Sequence, residues 1–201
     1  MQSWQIIGLL AVLSASAAAG IRIALPLLVI GLLQSDQFWY SVPLLSRIQP
    51  PVVLGVLTSW SLFELFASKK LLGQRVLQIV QLALSPIAGA IMGIAVAQLT
   101  GVSFGSLWLI GLIGGLLALV IQLVKVGWFY RLRGIPSWIV LIEDGLCVAL
   151  VIFAFKAPKS GGLMALVLLW LAIRSSQYWY RWYRGSDRPK NRHKLPHQEP
   201  D

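Results

Sequence analysis

Six long apolar runs constrain this chain more than anything else in it. They lie at roughly 4–33, 52–68, 73–99, 105–128, 137–155 and 162–180. A helix that crosses a bilayer needs about 20 mostly apolar residues, with a range near 17–25. Hydrocarbon offers no partner to an open backbone, so segments of this kind cross as helices. The expected fold is therefore all-α, a polytopic membrane bundle of about six transmembrane helices. Composition agrees. With 57% hydrophobic and 12% charged residues, too little charge remains to coat a soluble domain. Residues 1–181 read as one transmembrane domain, and 182–201 as a basic tail too polar to fold.

Two runs exceed the length of one crossing and contain a proline, Pro26 in the first and Pro86 in the third. Proline removes a backbone donor and kinks or breaks a helix. These segments are expected to be bent, broken or extended into the interface, and each either crosses once or re-enters. The stretch "LSASAAAG" resembles a signal-peptide cleavage site. "MQSW" lacks a positive start, however, and the apolar run resumes at once, so the segment is expected to stay as a span.

The formal charge of +10 raises the question of nucleic acid. Its placement answers against that partner, because most basic residues flank apolar runs. Lys69, Lys70, Arg75, Arg131, Arg133 and the tail share one side, whereas Arg47, Lys156 and Lys159 take the other. The positive-inside rule then puts both termini in the cytoplasm of a bacterial cell. "QYWYRWYR" interleaves rings with arginine as an interfacial belt does, and the basic tail suits anionic lipid. The lone Cys147 excludes an internal disulfide. His193 and His197 lie in the tail, so neither a metal nor another cofactor is expected.

Small residues mark helix contacts. Ser85, Gly89, Gly93 and Ala97 recur every four positions, and Gly111 with Gly115 repeats the step. In lipid such stripes admit close backbone approach, within one chain or in a homo-oligomer.

Five ionisable groups interrupt the apolar runs: Arg22, Glu64, Lys125, Glu143 and Asp144. A charge at the bilayer centre costs about 2.5–3.5 kcal/mol on insertion scales. Arg22 and the acidic pair should thus face the bundle interior. Lys125 could do the same or snorkel along its aliphatic stem. Glu64 lies near a span end and could sit in a wet mouth. Glu143 and Asp144 point about 100° apart on a helix, so they cannot easily share one partner. Both a proton-binding site and a static ion pair fit this set. A repeat of three spans also emerges, with Arg22, Glu64 and a small-residue span followed by Lys125, Glu143/Asp144 and "SGGLMALVLL". Three spans per half would invert the second half, as in many transporters.

Several short motifs, in order, resemble a bacterial family known as domain-of-unknown-function family 4126, over roughly residues 20–158. They are "GIRIALP" (Gly20, Arg22, Pro26), "FELFASK" (Glu64, Lys69), "SPIAGA" (Pro86, Gly89, Ala90), "QLVKVG" (Lys125, Gly127) and "IEDGL" (Glu143, Asp144). The chain departs at Ser68, Ser85 and Gln122, where that family usually has aspartate, arginine and histidine. The resemblance implies an integral membrane protein and no established activity.

Two functions compete. One is a small transporter or channel that binds a proton, ion or polar solute at the internal charges. The other is a structural or assembly protein whose charges lock helix packing. No nucleophile–base pair or phosphate loop is legible, so an enzyme is not expected.

Overall fold

The computed structural model describes residues 2–33, 49–67, 71–101, 106–132 and 137–186. Its regular elements there are seven helices: α1 (Gln2–Ile21), α2 (Ala24–Leu33), α3 (Pro50–Ala67), α4 (Leu71–Leu99), α5 (Leu107–Leu132), α6 (Ser137–Lys156) and α7 (Pro158–Ser186). Four segments are long and apolar enough to cross a membrane: Trp4–Ile21, Arg75–Leu99, Leu107–Phe129 and Trp138–Lys156. They make this a multi-pass membrane protein. The helix α7 continues through residues 182–186, the start of the expected tail, whose remainder lies outside the described residues. Lys69, Lys70, Arg47, Arg133 and Ser68 lie outside them too.

The first apolar run is two helices. A proline presses its ring against the carbonyl four residues earlier and cannot donate to it. Four before Pro26 is Arg22, and α1 ends there. The Arg22 amide still donates to the Ala18 carbonyl at 3.0 Å, and α2 resumes at Ala24. At 1.5 Å per residue α1 reaches about 30 Å, a full crossing, whereas α2 reaches about 15 Å. Pro86 behaves differently. The helix α4 runs through it without interruption, so of the two expected outcomes, a kinked or a broken helix, the break does not occur there.

Close packing around Pro86 accompanies that continuity. A Cβ on Gly115 would lie 2.7 Å from the Pro86 carbonyl oxygen. One on Gly89 would lie 2.6 Å from that of Gly114, and would overlap the Ala118 methyl as well. The stripe Ser85–Gly89–Gly93 is thus filled within the chain, by α5 and by Ser16 and Val12 of α1.

The same smallness places α1 at the centre, where it touches α4, α5, α6 and α7. Of Trp4–Ile21, 61% is buried, against 22% of Trp138–Lys156. Ala15, Ala17 and Ala18 are fully enclosed. Gly20 abuts Ala118, where a Cβ would come 2.8 Å from its Cα. Two serines fasten the hub to its neighbours: Ser14 donates to the Leu150 carbonyl at 2.7 Å, and Ser16 to that of Gly89 at 3.2 Å. Leu141, Trp138, Ile79 and Leu163 face outward, as side chains that meet lipid do.

Gly89→Ala should destabilise the protein by about 1–3 kcal/mol through overpacking. Gly127→Ala, where nothing lies within 4 Å, should be neutral or stabilising by up to about 1 kcal/mol. Melting temperatures in one detergent compare the two.

Candidate functional site

The break between α1 and α2 gathers all five charged groups. Arg22 occupies the break itself and is 5% exposed. Its Nε donates to Asp144 Oδ1 of α6 at 2.7 Å, and its Nη1 to Glu64 Oε2 of α3 at 3.4 Å. Glu64 is nearly inaccessible and is held from two further sides. Its Oε1 accepts from Trp60 Nε1 at 2.7 Å, one turn back, and from Gln81 Nε2 of α4 at 3.0 Å. Gln122 of α5 then donates to Gln81 Oε1 at 3.3 Å. Four helices and the α1–α2 break thus meet in one polar chain running Asp144–Arg22–Glu64–Gln81–Gln122.

Lys125 forms the second centre. Its Nζ lies 3.3 Å from Glu143 Oε2 and donates to the Ile21 carbonyl at 2.6 Å. In an unbroken helix that carbonyl would accept from Leu25. The break frees it, and the ammonium meets a helix C-terminus, where the backbone dipole favours positive charge. Lys125 therefore turns inward and does not snorkel. The two acids of α6 diverge as helical geometry demands, Asp144 to Arg22 and Glu143 to Lys125.

Each centre borders a cavity. Arg22, Glu64 and Asp144 line one of about 170 Å³ together with the hydroxyl residues Thr58 and Ser61. Lys125 and Glu143 line another of about 280 Å³ with mostly aliphatic walls. Formally the set holds two cations and three carboxylates, an excess of one negative charge. Among the described residues no group of His, Cys, Asp and Glu is placed to hold a metal ion.

The remaining singled-out residues build the frame. Gly20, Gly89 and Gly93 set helix approach, Pro26 makes the break, and Pro86 packs on Gly115. Ser85 and Gln78 present buried side-chain oxygens with no hydrogen-bond partner among the described residues. Trp60, Gln81, Thr58 and Ser61 were not predicted from sequence. The available signals were the four-residue step from Trp60 to Glu64 and a glutamine inside an apolar run.

Comparison with known families places one description on the chain. The profile described as "Domain of unknown function (DUF4126)" matches residues 9–178, wider than the motif-bearing stretch at 20–158 and inclusive of all seven helices at least in part. Comparison with curated proteins and with solved structures gave no match. With most of its length covered, motifs and bundle together, the chain belongs to the DUF4126 family.

Proposed function

We propose that the protein is a small transporter or channel-like protein of the bacterial cell membrane. In this reading α3 and α7 also cross, with the end of α7 toward the cytoplasm. The helix α1 runs parallel to α7, Leu10 beside Gly162 and Ile21 beside Ala172, so the start of α1 lies on the opposite side and not on the same side as expected. Arg22, Glu64, Lys125, Glu143 and Asp144 form its binding site, and no covalent chemistry is needed. One observation carries the reading: two cations and three carboxylates gather around an interrupted helix, and three of them, Arg22, Glu64 and Asp144, border a cavity. Interrupted helices that carry ionisable groups are one way transporters present ion sites. The formal excess of negative charge favours a proton or another cation over an anion. Arg22 can hold only part of that charge, since its contact to Asp144 is short and that to Glu64 long.

The pairing is partly two-fold: Arg22 pairs with Glu64 within the first half of the chain, and Lys125 with Glu143 within the second. The helices that open the two halves, α1 and α5, run parallel, Ser16 beside Gly114 and Gly20 beside Ala118, so they are not related by the expected inversion. Asp144 makes the crossing contact, from the second half to the first.

A second reading has its own support. Lys125 clamps the free Ile21 carbonyl at 2.6 Å, a contact that also suits a purely structural lock.

Reconstituted vesicles distinguish the two. Under an imposed pH gradient, Glu64→Gln and Asp144→Asn should slow dye-reported proton flux by about tenfold or more, equivalent to about 1.4 kcal/mol on the barrier. Both should still insert and melt as one species. Full flux from stably inserted variants removes the transport reading.

Lys125→Met should lower stability by about 3–5 kcal/mol, because it leaves Glu143 and the Ile21 carbonyl without their donor. Thermal unfolding measures this, and Lys125→Arg should restore most of it.

A further inference from the structure

The larger cavity, about 280 Å³ between α1, α5, α6 and α7, has mostly aliphatic walls, with Lys125, Glu143, Trp128 and Ser175 set toward one end among them. The helices α5 and α7 run toward one end of the bundle, where α5 ends at Leu132 and α6 starts at Ser137. Ile121, Leu146 and Leu168 form the rung farthest from that end. Lys125 and Glu143 come next, at the same level as each other by their 3.3 Å contact. Trp128, which donates to Ser175 at 2.7 Å, lies nearest the end. Polar groups above and aliphatic walls below reproduce the profile of one lipid in one leaflet.

We propose that this cavity is a phospholipid site. One acyl chain lies against Ile121, Leu146 and Leu168, and its ester carbonyl meets Lys125 below Trp128. Three observations converge on that occupant. The depth fits, because Lys125 lies about 10 Å inside the end of α5 at Leu132, below the headgroups and near the ester level. The charge fits as well. An ammonium has more donors than the Ile21 carbonyl and Glu143 use, so one is left for a neutral ester oxygen, which Glu143 does not repel as it would a phosphate. The surroundings fit too, since Leu141, Leu163 and Val167 on the same helices are exposed and apolar, so the leaflet itself supplies the ligand. The site does not depend on transport and would serve a protein that moves nothing.

The full chain, reconstituted in phosphatidylethanolamine–phosphatidylglycerol vesicles, tests it. A trace phospholipid with a diazirine in mid-chain is photolysed and the labelled peptides are mapped by mass spectrometry. Label should concentrate at Ile121, Leu146 and Leu168 above the exposed Leu141. It should fall to the Leu141 level in Leu168→Trp, which fills the cavity. Ala172→Phe obstructs it from another wall and should do the same if the first variant folds poorly. Uniform label over cavity and outer face, or label unchanged by both variants, overturns the proposal. Displacement by an equimolar free fatty acid overturns it too, by assigning the cavity to a different amphiphile.

Discussion

The arrangement depends on one guanidinium at a helix break. Pro26 denies the Arg22 carbonyl its donor, and the interruption removes Arg22 from the regular helix. Arg22 is 5% exposed, and a buried charge of this kind persists only when paired and hydrogen-bonded. Glu64 and Asp144 supply that pairing from two helices that flank α2. Each partner is itself an expensive group in an apolar span. Removing any one leaves others buried without company, which is the costly direction for an ion pair. Break and charges therefore explain one another: the break opens the polar backbone, and the charges make its burial tolerable.

Around this centre the energetics are those of close contact. Between helices in lipid there is little hydrophobic drive, so packing and hydrogen bonds carry association. The run of alanine, serine and glycine in α1 lets four helices touch it. A bulkier hub would hold them apart, and Arg22 could not then reach α3 and α6 together. The local smallness of residues 14–20 and the long-range pairing of residue 22 are one design.

Much of this was legible in the sequence, for physical reasons that differ by residue. Arg22, Glu143 and Asp144 could be placed inward because lipid penalises lone charge regardless of topology. The divergence of the two acids followed from helical rotation alone. The stripe on α4 announced a contact, though only the structure assigned it to α5 and α1 instead of a second copy. Pro26 and Pro86 were equal on paper. Their outcomes diverge, since α1 stops short of Pro26 whereas α4 runs through Pro86, and local sequence does not distinguish them. Lys125 had two open fates, and its inward turn depends on a carbonyl that only the break releases. Gln81 and Gln122 are neutral and unremarkable in sequence. They matter because three-dimensional packing sets them one after the other behind Glu64.

Two neighbouring pairs of residues bind crosswise in this site. Ile21 and Arg22 are adjacent in the chain, as are Glu143 and Asp144. Asp144 grips the Arg22 side chain, while Glu143 reaches the Ile21 carbonyl through Lys125. Because both acids ride on one rigid helix, α6 cannot turn or shift without straining both contacts. Likewise, any change in the α1–α2 angle moves the Ile21 carbonyl and the Arg22 guanidinium together. The two cavities lie on either side of this double tie, one bordered by Asp144 and the other by Glu143. Whatever occupies either cavity therefore acts on the same mechanical element, and adjacent carboxylates on a single helix are the simplest construction that couples them.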